Sequence, residues 1–207
     1  YQGQVGPDHG RFNYVAFDPL NEGVVFASAF DGRQIFKSND GGETWVHFYS
    51  APQVLTYYPN ISKLKFANPQ EPSHLYFIVS SSAGWDVDAR GLYILDVATG
   101  NVVNVIKVFH HWYLEIFDYD VCADLPKNII IFTKMGDSFP IPEYWTAVWK
   151  TEDNGNTIEL IYEWMDHNYM HPNVVRIHPN NPDIILMGMS YGWLGINGGF
   201  YRSDDGG

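Results

Sequence analysis

Short runs of alternating apolar and polar residues recur along the chain, and each run ends at a turn signal. The first group is Phe12-Asn-Tyr-Val-Ala-Phe-Asp-Pro19, then Gly23-Val-Val-Phe-Ala-Ser28, then Gln34-Ile-Phe-Lys37. The second is Ile61-Ser-Lys-Leu-Lys-Phe-Ala-Asn-Pro69, His74-Leu-Tyr-Phe-Ile-Val79 and Gly91-Leu-Tyr-Ile-Leu95. A third opens on Leu114–Phe117 or on Tyr119–Cys122, and continues with Asn128–Thr133 and Ala147–Lys150. The fourth holds Val174–Pro179, Asp183–Met189 and Gly199–Arg202. The apolar positions follow a period near two, which predicts half-buried strands rather than helices. Pro and Gly interrupt the pattern about every 10 residues, which leaves little room for a helix of ordinary length.

The turn prolines at 19, 69, 126 and 179 are 50, 57 and 53 residues apart. An all-β unit of that period matches the four-stranded blade of a β-propeller, which takes about 40–50 residues. The predicted fold is therefore all-β: about four blades of four antiparallel strands, near 12–50, 61–108, 113–164 and 172–207. They form one propeller domain or part of a larger one.

Composition narrows the function. The chain has 207 residues, of which 45% are hydrophobic, as expected for a globular fold. Its net charge is -12 with scattered basic residues, so nucleic acid would be repelled over most of the surface. No apolar run reaches the ~18–20 residues of a membrane span. Cys122 is the single cysteine, set among Tyr119, Val121 and Leu125, and is expected to be a buried thiol. The chain opens on Tyr1 and stops at Ser203-Asp-Asp-Gly-Gly207, part-way through a recurring motif, which suggests a longer parent protein.

That motif is first complete at Ser38-Asn-Asp-Gly-Gly-Glu-Thr-Trp45. It recurs as Thr151-Glu-Asp-Asn-Gly-Asn-Thr157, with Ile158 in place of Trp, and as the first half at Ser203. Each copy follows a strand ending in a basic residue: Lys37, Lys150 and Arg202. The motif resembles the Asp-box (BNR repeat), Ser-x-Asp-x-Gly-x-Thr-Trp, of propellers in the sialidase-like, sortilin-like and xyloglucanase-like group. The second blade departs from the pattern, with Asp96-Val-Ala-Thr-Gly-Asn101 at its turn. In the box, Ser38, Asp40, Gly42, Thr44, Trp45, Asp153, Gly155, Thr157, Ser203 and Asp205 are expected to be structural. The carboxylate can accept N–H bonds inside its own turn and the glycines can take positive φ.

The resemblance implies more than four blades in such families, so further blades or self-association would close the ring. It also implies that ligands meet the face opposite the Asp-boxes. There the links carry Trp85, Arg90, His111, Trp112, Tyr144, Trp145, His167, Tyr169 and Trp193 as candidate ligand-binding residues. Aromatic rings beside polar groups suit the apolar faces and hydroxyls of sugars. The alternative is that these rings pack against one another across the ring of blades. A hydrolase would need two carboxylates, and Asp31, Asp86, Asp88 and Glu143 are the candidates. A sialidase is disfavoured, because Arg176 and Arg202 fall in strands and the Arg-Ile-Pro signature is absent. No metal site is assigned to Asp166, His167, His171, His110 and His111, which read as loop. No cofactor is expected; calcium is the ion that Asp86-Val-Asp88 would suit. Asn60-Ile-Ser62 is an N-glycosylation sequon, placed in the loop before a strand.

The expectation is an extracellular or cell-surface binding or structural propeller module with a glycan or protein partner, and no nucleic acid or membrane span. The alternative is a glycoside hydrolase acting on a polysaccharide.

Overall fold

The computed structural model describes the backbone of residues 12–29, 33–52, 59–67, 71–81, 89–107, 114–122, 128–135, 145–165, 170–191 and 198–207. All fifteen elements formed by these residues are β-strands. The chain divides into two compact units, residues 1–105 and 106–207.

In the first unit, β1 (Phe12–Phe17), β2 (Val25–Ala29), β3 (Gln34–Ser38) and β4 (Val46–Ser50) form one sheet in sequence order. A second sheet runs through β5 (Pro59–Ala67), β6 (Glu71–Ser81), β7 (Gly91–Asp96) and β8 (Val102–Ile106). Strand β1 alternates between exposed and partly buried positions, as a strand with one face on a core must. Strand β2 is buried along four consecutive residues because it lies inside its sheet. The core joins Ala16, Phe26 and Ile35 of the first sheet to Ile61, Leu75, Phe77 and Leu95 of the second. Phe26 is fully buried, with Phe48 edge-on at 5.1 Å, and the Lys37 ammonium lies 5.5 Å from its ring centre. The apolar stem of Lys37 thus covers the core edge while its charge meets a π face.

The second unit repeats the plan. Strands β9 (Leu114–Cys122), β10 (Asn128–Met135), β11 (Trp145–Thr151) and β12 (Glu159–Met165) make a four-stranded sheet. Strands β13 (Met170–His178), β14 (Asn181–Tyr191) and β15 (Gly199–Ser203) make a three-stranded one. Cys122 and Val148 pack on Val175, Ile177, Ile185, Met187 and Met189.

Three local features depart from the simple strand pattern. The two alternative openings of the third group are one strand, β9, bent where Phe117 is skipped in the pairing with β10. The uneven spacing Ile61, Leu64, Phe66 is a bulge: three residues of β5 oppose two of β6, and Lys63 sits at φ 57°. Without that extra residue, either Ile61 or Leu64 would turn away from the core. Asn60, placed by its sequence in the loop before β5, is instead the second residue of that strand, paired with Ser80 and exposed.

Candidate functional site

Within each four-stranded meander, the links after the second and fourth strands leave from one end, and the other two turns lie at the opposite end. The turn end is built by hydrogen bonds that repeat. Ser38 donates its hydroxyl to Asp40 Oδ1 at 2.7 Å and accepts from the Gly42 N–H at 2.8 Å. Thr44 donates its backbone N–H to Asp40 Oδ1 at 2.9 Å and its hydroxyl to Oδ2. The indole of Trp45 donates to the Gly42 carbonyl at 3.0 Å, and its ring lies 4.8 Å from Phe12. Gly42 takes φ 97°, a conformation that costs a side chain energy.

The second copy uses the same atoms. Thr151 donates to Asp153 at 2.9 Å and accepts from the Gly155 N–H at 2.8 Å, and Thr157 donates to Asp153 through both N–H and hydroxyl. At the third, Ser203 donates to Asp205 at 2.7 Å and accepts from Gly207 at 2.9 Å. These donors hold all three carboxyls below their ordinary range. Asp40 falls to about 2, chiefly through Ser38 and then Thr44. Asp153 is lowered first by the Thr157 N–H and Asp205 first by the Ser203 hydroxyl.

The second sheet, which lacks the box, reaches a related result with other residues. Asp96 accepts both the N–H and the hydroxyl of Thr99 at 2.7 Å, and these bonds lower its pKa, the hydroxyl most. A further tie recurs in three sheets, where an N–H just after the third strand reaches a carbonyl near the start of the second. The pairs are Gly41 to Gly23 at 2.8 Å, Val97 to Ser73 at 2.9 Å and Gly206 to Asp183 at 2.8 Å. The turn end is thereby a latched scaffold, with its aspartates committed to hydroxyl and main-chain donors of their own turns.

A solved structure shares this architecture. An ancestral GH74 enzyme aligns with 96% of this chain at 15% identity and a TM-score of 0.57, and the match takes up 23% of that enzyme's chain. These sheets are β-propeller blades. The propeller match covers less than a quarter of the larger protein, so the chain corresponds to part of such an assembly in length. Two further structures align less closely. YCF48 from Cyanidioschyzon merolae shares 14% identity over 95% of this chain and 70% of its own, at a TM-score of 0.38. The Cps50 (Swd1) β-propeller domain of Myceliophteria thermophila shares 12% over 86% and 66%, at a TM-score of 0.40. No protein-family model matches the sequence, and no curated protein matches it.

Most of the candidate ligand residues fall, in sequence, in the links after second and fourth strands. In the first unit, Asp31 falls in the β2–β3 link, and Trp85, Asp86 and Asp88 fall in the β6–β7 link; all four lie outside the described residues. His111 and Trp112 of the β8–β9 link, Glu143 and Tyr144 of the β10–β11 link, His167 and Tyr169 of the β12–β13 link, and Trp193 of the β14–β15 link lie outside them too. Trp145 is the first residue of β11, paired through its backbone with Met165. Arg90 is described directly: it is buried, one residue before β7. Beside it the Ala89 carbonyl accepts the Tyr93 hydroxyl at 2.9 Å, which anchors the foot of the β6–β7 link. Burial raises the pKa of Tyr93, and burial beside Tyr93 raises that of Tyr49, so both phenols stay neutral.

Two carboxylates escaped the sequence-based choice. Asp118 and Asp120 are buried on β9 and point to β13 of the neighbouring sheet. Asp118 Oδ2 accepts the Val175 N–H at 3.1 Å and an Arg176 guanidinium N–H at 2.7 Å, and Asp120 Oδ2 accepts the Ile177 N–H at 2.9 Å. The available signal was Asp-x-Asp within an apolar strand. Two acids on one buried face require donors from elsewhere. Among the described residues, no group of three or more His, Cys, Asp or Glu is placed to hold a metal ion.

Proposed function

We infer that the chain is a binding propeller module, displayed outside the cell or on its surface, that engages a glycan or protein partner through the link end of its blades. The observation that carries this is the division of labour between the two ends. The turn end spends Asp40, Asp153 and Asp205 on its own hydrogen bonds. The aromatic and histidine candidates are concentrated in the links that leave the opposite end. Rigid blades carrying variable links are a suitable platform for recognition, because the scaffold holds loop ends apart without depending on loop sequence. Trp85, Trp112, Tyr144, Trp145, Tyr169 and Trp193 supply ring faces for sugars, and His111 and His167 supply polar partners.

A second reading, a glycoside hydrolase acting on a polysaccharide, is favoured by the match to the GH74 enzyme. Asp31, Asp86, Asp88 and Glu143 would be its acids, and a working pair would stand about 5–9.5 Å apart.

A soluble polysaccharide panel separates the two. The binding reading expects retention on at least one polymer in affinity electrophoresis, no release of reducing ends, and loss of retention in Trp112→Ala or Trp193→Ala. Release of reducing ends that disappears in Asp31→Asn would replace it with the hydrolase. Retention unchanged in both tryptophan variants would remove the link end as the binding surface.

A further inference from the structure

We propose that Asn60 is an N-glycosylation site. Its side-chain amide takes an oligosaccharide from a polyprenyl-diphosphate donor as the chain enters a secretory compartment. The proposal rests on the reading that the chain is displayed outside the cell, and not on what the link end binds.

The acceptor sequence comes first. Of the chain's asparagines, Asn60 alone is followed two positions on by Ser or Thr with a residue other than proline between them. That triplet is what a membrane-bound oligosaccharide transferase reads.

The backbone then aims the acceptor outward. Pro59, Asn60, Ile61 and Ser62 pair in unbroken register with Ser81, Ser80, Val79 and Ile78 of β6. Along such a stretch, side chains alternate between the two faces. Ile61 is fully buried in the core of the first unit, and its partner Val79 lies in the same cluster. Asn60 and Ser62 therefore share the opposite face, with the amide and the hydroxyl one strand repeat apart. Asn60 is exposed there, and its neighbour across the ladder is the small Ser80.

The fold gives Asn60 no other task. Asparagine is disfavoured in strands. Asn21, Asn104, Asn156 and Asn181 each hydrogen-bond a nearby group through the side chain. Among the described residues, nothing hydrogen-bonds the Asn60 carboxamide. A strand position does not obstruct the modification, because transfer takes place on the extended chain before it folds. Afterwards the glycan needs only an outward route from the face it stands on. Asn60 supplies that route at the second residue of β5, where the β4–β5 link enters the sheet.

The step forms a bond from Asn60 Nδ2 to the anomeric carbon of the first sugar. The anomeric C–O bond to the donor breaks, and polyprenyl diphosphate leaves with the electron pair. The amide gives up one proton to a base of the transferase.

To test this, the full 207-residue chain is placed behind a cleavable signal sequence and translated with endoplasmic-reticulum vesicles. The fraction protected from added protease is analysed by intact mass. The expected result is a mass increase that peptide N-glycosidase removes, converting Asn60 to Asp. Asn60→Gln and Ser62→Ala should abolish the increase, and Ser62→Thr should keep it. The glycosylated chain should unfold at the urea midpoint of the unmodified one, since the glycan leaves from an exposed position. An unmodified protected fraction, an increase that persists in Asn60→Gln, or a clearly lower midpoint for the glycosylated chain would overturn the proposal. Fractionation of source cells separates it from the reading on which it rests. Unglycosylated chain found outside the cell would overturn the proposal alone. Chain confined to the cytosol would overturn the display reading and the proposal with it.

Discussion

The Asp118 carboxylate accepts the main-chain N–H of Val175 at 3.1 Å, across from β9 to β13 in the next sheet. Two residues along, Asp120 does the same for Ile177 at 2.9 Å. Strands of different sheets lie outside one backbone ladder, so these side chains stand in for the missing carbonyls. The spacing works because residues two apart on both strands face the same way.

Removing one of these acceptors strands a buried N–H. Asp118→Ala is expected to lower stability by about 2–3 kcal/mol, and Asp118→Asn, which keeps an acceptor oxygen, by less. Urea unfolding measures both. Equal midpoints for Asp118→Ala and the parent would show that the bond holds nothing together.

Acid should loosen the turn end. Asp40 is at about 2 in the folded chain against an ordinary 3.8, and Asp153 and Asp205 are lowered from the same value. The unfolded chain therefore binds more protons than the folded one between these values, so stability rises with pH there. The contribution is complete above the ordinary value and disappears as pH falls toward about 2 for Asp40. Melting temperature is expected to decline across that window, and less steeply in Asp40→Asn. Parallel profiles for variant and parent would assign the acid sensitivity to other groups.

Backbone conformation at Gly42 makes a separate prediction. Its φ of 97° is unfavourable for a side chain, and an added Cβ would lie 3.4 Å from the Trp45 ring. Gly42→Ala is expected to cost about 1–2 kcal/mol. Gly199→Ala is the control: its nearest contact would be 3.8 Å away, and its effect should stay within about 0.5 kcal/mol. Denaturant midpoints that move equally would rule out the conformational explanation.

Cys122 is 1% exposed, with its sulfur 3.9 Å from the Pro179 carbonyl. Its reaction with a bulky disulfide reagent should follow unfolding of the second unit rather than proceed in the folded state. Labelling rates are expected to rise with urea in step with the loss of structure. Fast labelling in buffer alone would place the thiol at the surface.

The blade pattern could be read from the chain because it is local. Alternation in Phe12–Phe17 and the turn residues at Ser38–Trp45 are encoded within a few positions. Asp118 and Asp120 were passed over because their donors lie 57 residues away, and a carboxylate in a strand gives no direct sign of its partner. The candidate link residues could be assigned to one end by strand order, whereas the burial of Arg90 depended on what packs around it.

The sequence by itself determined the strands, their meander order and the Asp turns, since each is fixed by side-chain period, glycine conformation or hydrogen bonds spanning a few residues. Only the tertiary structure decided the bulges at Lys63, Phe48 and Ile161 and the acidic clasp between β9 and β13. Those features arise where one sheet must fit another, and that fit is set by the shapes of both surfaces.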